Sequence, residues 1–377
     1  MLLIKNAKVY APDFLGQKDI LTGGGRILAI KDKIESSVLF DEWDAQGKIT
    51  TPGIIDQHIH IIGAGGKHGF SSITPEIMVD GLASCGTTTV VGLLGTDGST
   101  KGVKPLYAKC KALDQEGITA FMFTGYFGLD PMHITNNVQD EMIFIDKVIG
   151  CKIAIADVRS SYPTDLELLR ILRQVRVGGL IAKKKGILHI HLGGLSSKID
   201  NLFRIVKDHE FPIKHISPTH MGRTKDLFEE ALIFSKMGGM VDISTGGTNY
   251  AEPYKILLYG LEKGADINTF TFSSDGNAGL DKLDENGNLI GFRKAPFELN
   301  VIQAKKLVNE GNLSITDAFK TITLNPAINL GLNHKGRIKE NCDADLCFFD
   351  EELNLTNVIA MGKHLVKDQN ILIKPSF

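Results

Sequence analysis

The chain has 377 residues, enough for a barrel of about 250 residues and a smaller satellite domain. Its 42 basic and 44 acidic residues leave a net charge of -2, which excludes the positive field that a phosphate backbone requires, so nucleic acid is not an expected partner. Five scattered cysteines (Cys85, Cys110, Cys151, Cys342 and Cys347), without CxxC spacing, signal neither a disulfide framework nor a thiolate metal site, and fit a reducing compartment.

In chain order, residues 2–10 mix Lys5 and Lys8 into an alternating apolar run. That pattern predicts a strand and lacks the long apolar core of a secretion signal. No stretch reaches the roughly 18 to 20 unbroken apolar residues of a membrane span. The expectation is a soluble, cytoplasmic protein with no membrane partner. Further strands are predicted over 19–22 and 26–30, joined through Gly23, Gly24 and Gly25.

From Gly53 the texture alternates. Apolar, β-branched runs over 87–94, 153–156, 187–191 and 268–273 predict strands, whereas 75–84, 138–149 and 224–237 carry helical periodicity. Thr74 followed by Pro75 suits a helix start. Strands alternating with helices imply βαβ units and a parallel sheet. Beyond Gly336 the chain returns to strand-like segments over 344–349, 353–361 and 363–366. The fold class expected is α/β, a (β/α)8 TIM barrel over 52–335 with a small β-sandwich domain formed from both termini, 1–51 plus 336–377. No internal repeat or low-complexity segment interrupts it.

The sharpest local signal is Gly53-Ile-Ile-Asp-Gln-His58-Ile-His60, an apolar run ending in two histidines. Side chains at i and i+2 of a strand share a face, so both imidazoles point together, and neutral imidazoles are good zinc ligands. An isolated pair reads equally well as two half-exposed strand histidines. The context is what shifts the balance. Lys152 opens the run over 153–156, His191 ends one just before Gly193, His220 ends Ile216-Ser-Pro-Thr-His, and Asp275 ends another. Active sites of this fold sit where strand ends meet their loops. His189 and His191 alternate onto one face and either can be the ligand; His191 lies nearer the loop. A lysine buried beside metals has a lowered pKa, and its neutral amine can take up carbon dioxide as a carbamate. Metals of such a site make hydroxide available at neutral pH and polarise a carbonyl. Asp275 is the carboxylate able to move the proton to the leaving nitrogen, which makes amide hydrolysis the expected reaction.

The ordered pattern HxH, Lys, His, His, Asp resembles the binuclear amidohydrolase superfamily, and within it the bacterial isoaspartyl (β-aspartyl) dipeptidases. The resemblance runs from Tyr10-Ala-Pro to Gly336 through Pro52-Gly-Ile-Ile-Asp-Gln-His58, Val90-Val-Gly-Leu-Leu-Gly-Thr96-Asp97, Arg159, Pro218-Thr-His220 and Ser273-Ser-Asp275-Gly-Asn277. It implies two divalent metal ions, zinc being the expected one, at His58, His60, Lys152 (carbamylated, requiring carbon dioxide), His191, His220 and Asp275. Asp275 is then also the proton shuttle. It implies further that Arg159 and Arg223 bind the carboxylates of a dipeptide substrate, that Thr96 lines the pocket, and that the chain forms a homo-oligomer.

Two positions depart from the family pattern. Lys67, after Gly63-Ala-Gly-Gly66, stands where the family places an acidic residue for the substrate's α-ammonium group. Like charges there cost roughly 4 kcal/mol at 4 Å and an effective dielectric of 20, which favours an N-acylated or otherwise acidic amide. Phe127 stands where the family has a carbonyl-polarising tyrosine, with Tyr126 next to it and a one-residue loop shift away from that role. A cyclic-amide hydrolase shares the metals and is the alternative enzyme. A catalytically inactive scaffold is the alternative of another class.

Overall fold

The structure, a computed structural model, describes residues 1–130 and 132–376. Its core is built on parallel strands β1 (Ile54–Ile59), β2 (Thr87–Gly92), β3 (Thr119–Gly125), β4 (Val148–Ile155), β5 (Ile187–Leu192), β6 (Ile216–Thr219), β7 (Val241–Ser244) and β8 (Phe270–Ser273). Strands β1 to β6 form one sheet in sequential order, and β7 pairs with β8. The ring closes where Ile59 bridges Gly276 just past β8, and where the Met221 N–H donates to the Asp242 carbonyl between β6 and β7. The result is the expected (β/α)8 barrel. Every residue of β1, β2, β4 and β5 is buried, because one face meets the barrel interior and the other the helical layer.

Helices such as Val103–Gln115, Asp165–Ala182 and Lys225–Lys236 supply that layer. The longest starts at a capping box, Thr164 accepting from the Glu167 N–H while the Glu167 carboxylate accepts from the Thr164 N–H. Both ends of the chain share a separate 9-stranded sheet. Its strand Ile49–Pro52 pairs antiparallel with Leu346–Phe349, and Ile4, Val9, Ile20, Ile27, Phe348 and Ile359 make a core of its own. Buried Lys335 ties the sheet to the barrel, reaching Asp343 at 2.9 Å, Asp345 at 2.6 Å and the Thr119 hydroxyl at 2.7 Å.

Four expected boundaries move. Residues 75–78 are not helical; the helix is Val79–Ser84. The Ile77 N–H is taken by the Ile61 carbonyl and the Pro75 carbonyl by the Asn277 amide, so tertiary partners hold this backbone instead of a first helical turn. The periodic stretch 138–149 divides into helix Val138–Phe144 and the start of β4 at Val148, since a strand buried on both faces reads like a buried helix. In 268–273 only Phe270–Ser273 is strand, preceded by a 3-10 turn capped by Asp266. In the N-terminal sheet, strand Phe14–Gly23 starts earlier than 19, because it pairs along the whole of Leu2–Tyr10.

A candidate metal centre at the barrel mouth

The four strand ends that carry histidine or aspartate converge. Donor atoms of His58, His220 and Asp275 lie within 4.8 Å of one another. Asp275 Oδ1 is 3.3 Å from both His58 Nε2 and His60 Nε2. The His191 ring centroid is 4.7 Å from that of His220, and His58 is 5.1 Å from His220.

Lys152 is not at the start of its strand but the fifth residue of β4, in register with His189 of β5, while Ala154 is opposite His191. It therefore begins a layer below the mouth, and its four-carbon stem makes up the difference. The ammonium is fully buried with no hydrogen-bond partner among the described residues. Burial pushes its pKa down to about 7, against the pull of Asp275 and Asp242.

Four of the site's histidines are held neutral by burial. Burial lowers His58 to about 3 and His191 to about 4, nearby Lys152 adding to both, and burial holds His189 and His220 well below the usual imidazole range. Asp275 is ionised: burial opposes its charge, but the imidazoles of His220, His58 and His60 around it hold it well below the usual carboxylate range.

Each imidazole except His60 has a partner that decides which nitrogen faces inward. His58 Nδ1 meets His189 Nε2 at 2.8 Å, His220 Nδ1 meets the Ser244 hydroxyl at 2.5 Å, and His191 Nε2 meets Asp157 Oδ2 at 2.9 Å. That pattern leaves Nε2 of His58 and His220 and Nδ1 of His191 clear of those partners. The Nδ1 of His60 is buried and unpartnered among the described residues. His220, Asp275 and Ala156 all sit at positive φ, 63°, 51° and 52°, each costing on the order of 1–3 kcal/mol, a kind of strain that clusters at functional sites. The strained end of β8 is stitched to β1, where Asp56 accepts from the Ser274 hydroxyl and N–H and the His60 N–H donates to Gly276. Burial raises Asp56 to about 7 in spite of those bonds.

Asp157 was not among the residues singled out by sequence. It joins His191 to Arg159, whose Nε and Nη2 donate to it at 2.9 and 2.6 Å. The available signal is its place just past β4, at a barrel-strand end. Gly193 admits this contact, since a Cβ there would stand 2.2 Å from the Ala156 carbonyl oxygen. The Arg159 guanidinium also lies 5.4 Å from the Phe127 ring centre. Arg223 is held through its Nε on the Leu192 carbonyl at 3.0 Å.

The remaining sequence candidates divide. Thr96 is exposed on the loop after β2, beside Gly95, whose Cβ position is 3.4 Å from His60 Cε1. Tyr126 turns away: its hydroxyl folds over Gly128 and its ring over Gly98. Phe127 takes the inward place, its ring 4.3 Å from His191 and 5.9 Å from Lys152 Nζ. Lys67 is largely exposed and paired with Asp281 at 2.7 Å, and His68 reaches the same carboxylate at 3.0 Å. Lys67 is thus paired with a carboxylate arriving from the hairpin after β8. Among the described residues no helix is long and apolar enough to cross a membrane.

Positions 49–366 match the amidohydrolase family. A crystal structure of a beta-aspartyl dipeptidase from Fervidobacterium islandicum, in complex with a beta-Asp-Leu dipeptide, is 37% identical with a TM-score of 0.93, covering 100% of this chain and 98% of the other. A dihydroorotase of Lactobacillus gasseri is 23% identical over 93% of this chain and 89% of its own length. A deacetylase of Brucella anthropi is 26% identical over 88% and 79%.

Proposed function

The chain belongs to the amidohydrolase family, and from that premise we propose that it is a metal-dependent dipeptidase that hydrolyses the amide bond of β-aspartyl (isoaspartyl) dipeptides. The observation that carries the metal centre is Lys152, a fully buried amine without a hydrogen-bond partner among the described residues, set among His58, His191 and Asp275. Such a group is costly unless something binds it. Neutral imidazoles and a carboxylate are a donor set suited to divalent zinc. His58, His60, His191, His220, Asp275 and carbamylated Lys152 would hold two ions, which when bound supply Lewis acidity and hydroxide near neutral pH.

The chain's own residues do the rest. The neutral Lys152 amine adds to carbon dioxide, forming an N–C bond and releasing one proton, and the carbamate oxygens join the donors. Asp275, ionised and next to two imidazoles, takes a proton from the attacking water and returns it to the leaving nitrogen. Arg159, aligned by Asp157, and Arg223, pinned to Leu192, offer their free N–H groups to the substrate carboxylates. Phe127 covers His191 and narrows the access of water to it. The likeness to the beta-Asp-Leu-bound dipeptidase supports the substrate class.

Phe127 favours one second reading, a cyclic-amide hydrolase, because it removes the hydroxyl that polarises the dipeptide carbonyl in the dipeptidase pattern. A substrate panel separates the two. Zinc-loaded protein is expected to release aspartate from β-Asp-Leu, to spare α-Asp-Leu and dihydroorotate, and to lose activity on chelation. Turnover of dihydroorotate without turnover of β-Asp-Leu would reverse the assignment.

A further inference from the structure

Behind the candidate centre, the barrel interior holds a hydrogen-bonded chain that none of the roles above uses. His58 Nδ1 is 2.8 Å from His189 Nε2, and His189 Nδ1 is 3.2 Å from the Ser217 hydroxyl. The Asn329 amide, from helix Leu324–Leu330, donates to Ser217 Oγ and to Gln57 Oε1, both at 2.9 Å. Gln57 Nε2 donates to Asp242 Oδ1 at 2.7 Å, and Asp242 accepts also from Thr271, Ser273 and Thr219 at 2.7, 2.6 and 2.6 Å. All these side chains are buried.

The far end sets the polarity. Asp242 only accepts, so the Gln57 amide must turn its nitrogen toward it and its oxygen toward Asn329. Asn329 then spends both N–H groups, on Gln57 and on Ser217. Ser217 Oγ keeps a lone pair able to accept a His189 Nδ1–H, and in that tautomer His189 Nε2 is bare and receives the His58 Nδ1–H. The His58 Nε2 lone pair is left facing Asp275 and the centre. Phe123, stacked on His189 at 4.8 Å and 16°, fixes the plane of the ring. His189 is in register with Lys152 and Ser217, whereas His191 is in register with Ala154 and Thr219. Two residues of strand place it roughly 6.5 Å deeper than His191.

We propose that His189 is a positioning residue and not a metal ligand: it fixes the tautomer of His58 so that His58 Nε2 is offered to the ion. This rests on His58 being a ligand, as in the function proposed above. The test compares His189→Leu, His189→Gln and Ser217→Ala with the wild type, reading zinc affinity by chelator competition and folding by circular dichroism and thermal unfolding. Glutamine offers an acceptor toward His58 and an N–H toward Ser217; leucine offers neither. His189→Leu is expected to bind zinc about 10- to 100-fold more weakly, Ser217→Ala several-fold more weakly, and His189→Gln to stay within about 5-fold of wild type. Wild-type affinity in folded His189→Leu, a lowered unfolding temperature with no change in affinity, or His189→Gln no better than leucine would overturn the proposal. A wild-type protein that fails to bind zinc at all would instead overturn the metal centre itself.

Discussion

His191 Nε2 lies 2.9 Å from Asp157 Oδ2, and the same carboxylate receives Arg159 through Nε and Nη2. One buried acid thus orients a candidate metal ligand and a candidate substrate-binding guanidinium together. Asp157→Asn keeps the size and loses the charge. The expected result is a 10- to 100-fold loss of zinc affinity together with a raised KM for β-Asp-Leu, checked by chelator competition and steady-state kinetics. A change in only one of the two would show that Asp157 does not couple them.

Phe127 occupies the inward position beside His191 and Lys152 with no hydroxyl to offer. Phe127→Tyr places one there. Because losing an oxyanion donor costs about 100- to 1,000-fold, even an imperfectly placed gain is expected to raise kcat on β-Asp-Leu by on the order of 10-fold, with KM little changed. An unchanged kcat would mean that the position does not face the scissile carbonyl.

Lys152 titrates near pH 7 in its buried site. Only the neutral amine reacts with carbon dioxide, so metal-stripped protein is expected to regain activity with zinc and bicarbonate far faster at pH 8 than at pH 6, and slowly in carbon-dioxide-free buffer. Lys152→Ala is expected to lose at least about 1,000-fold in kcat, by analogy with removing a whole catalytic element. Reactivation at equal rates with and without bicarbonate would remove the carbamate from the scheme.

The metal-free protein should be acid-sensitive. His58 and His191 have folded-state pKa values of about 3 and about 4, below the ordinary imidazole value, so the unfolded chain binds more protons between pH 6.5 and those values. Stability is then complete above pH 6.5 and falls as the pH drops toward 4, by on the order of a few kcal/mol for His191 alone. Denaturant titrations at pH 7.5 and pH 5 check the sign; equal midpoints would contradict buried neutral histidines.

The barrel was legible because its strands are apolar runs with chemistry at their ends, and the HxH, His220 and Asp275 positions followed from that rule. The start of β4 was not, since Val148 and Ile149 are as apolar as a helix face, and misplacing it put Lys152 ahead of a strand in which it is the fifth residue. The partners Asp157 and Ser244 left little trace, and His189 was legible only as an alternative ligand to His191. Their meaning lies in which nitrogen of which ring they touch, and no spacing along the chain encodes that. The partner of Lys67 was hidden for a related reason: Asp281, with which it pairs, is 214 positions away.

Strand Ile49–Pro52 runs directly into β1, and its outer neighbour in the terminal sheet is Leu346–Phe349, at the other end of the polypeptide. During synthesis, then, the segment leading to His58 waits for nearly the whole chain to emerge before its edge is covered. Until that moment an open row of backbone donors and acceptors invites association with other nascent copies. Truncations before Leu346 should for this reason yield inclusion bodies, although every barrel strand is still encoded.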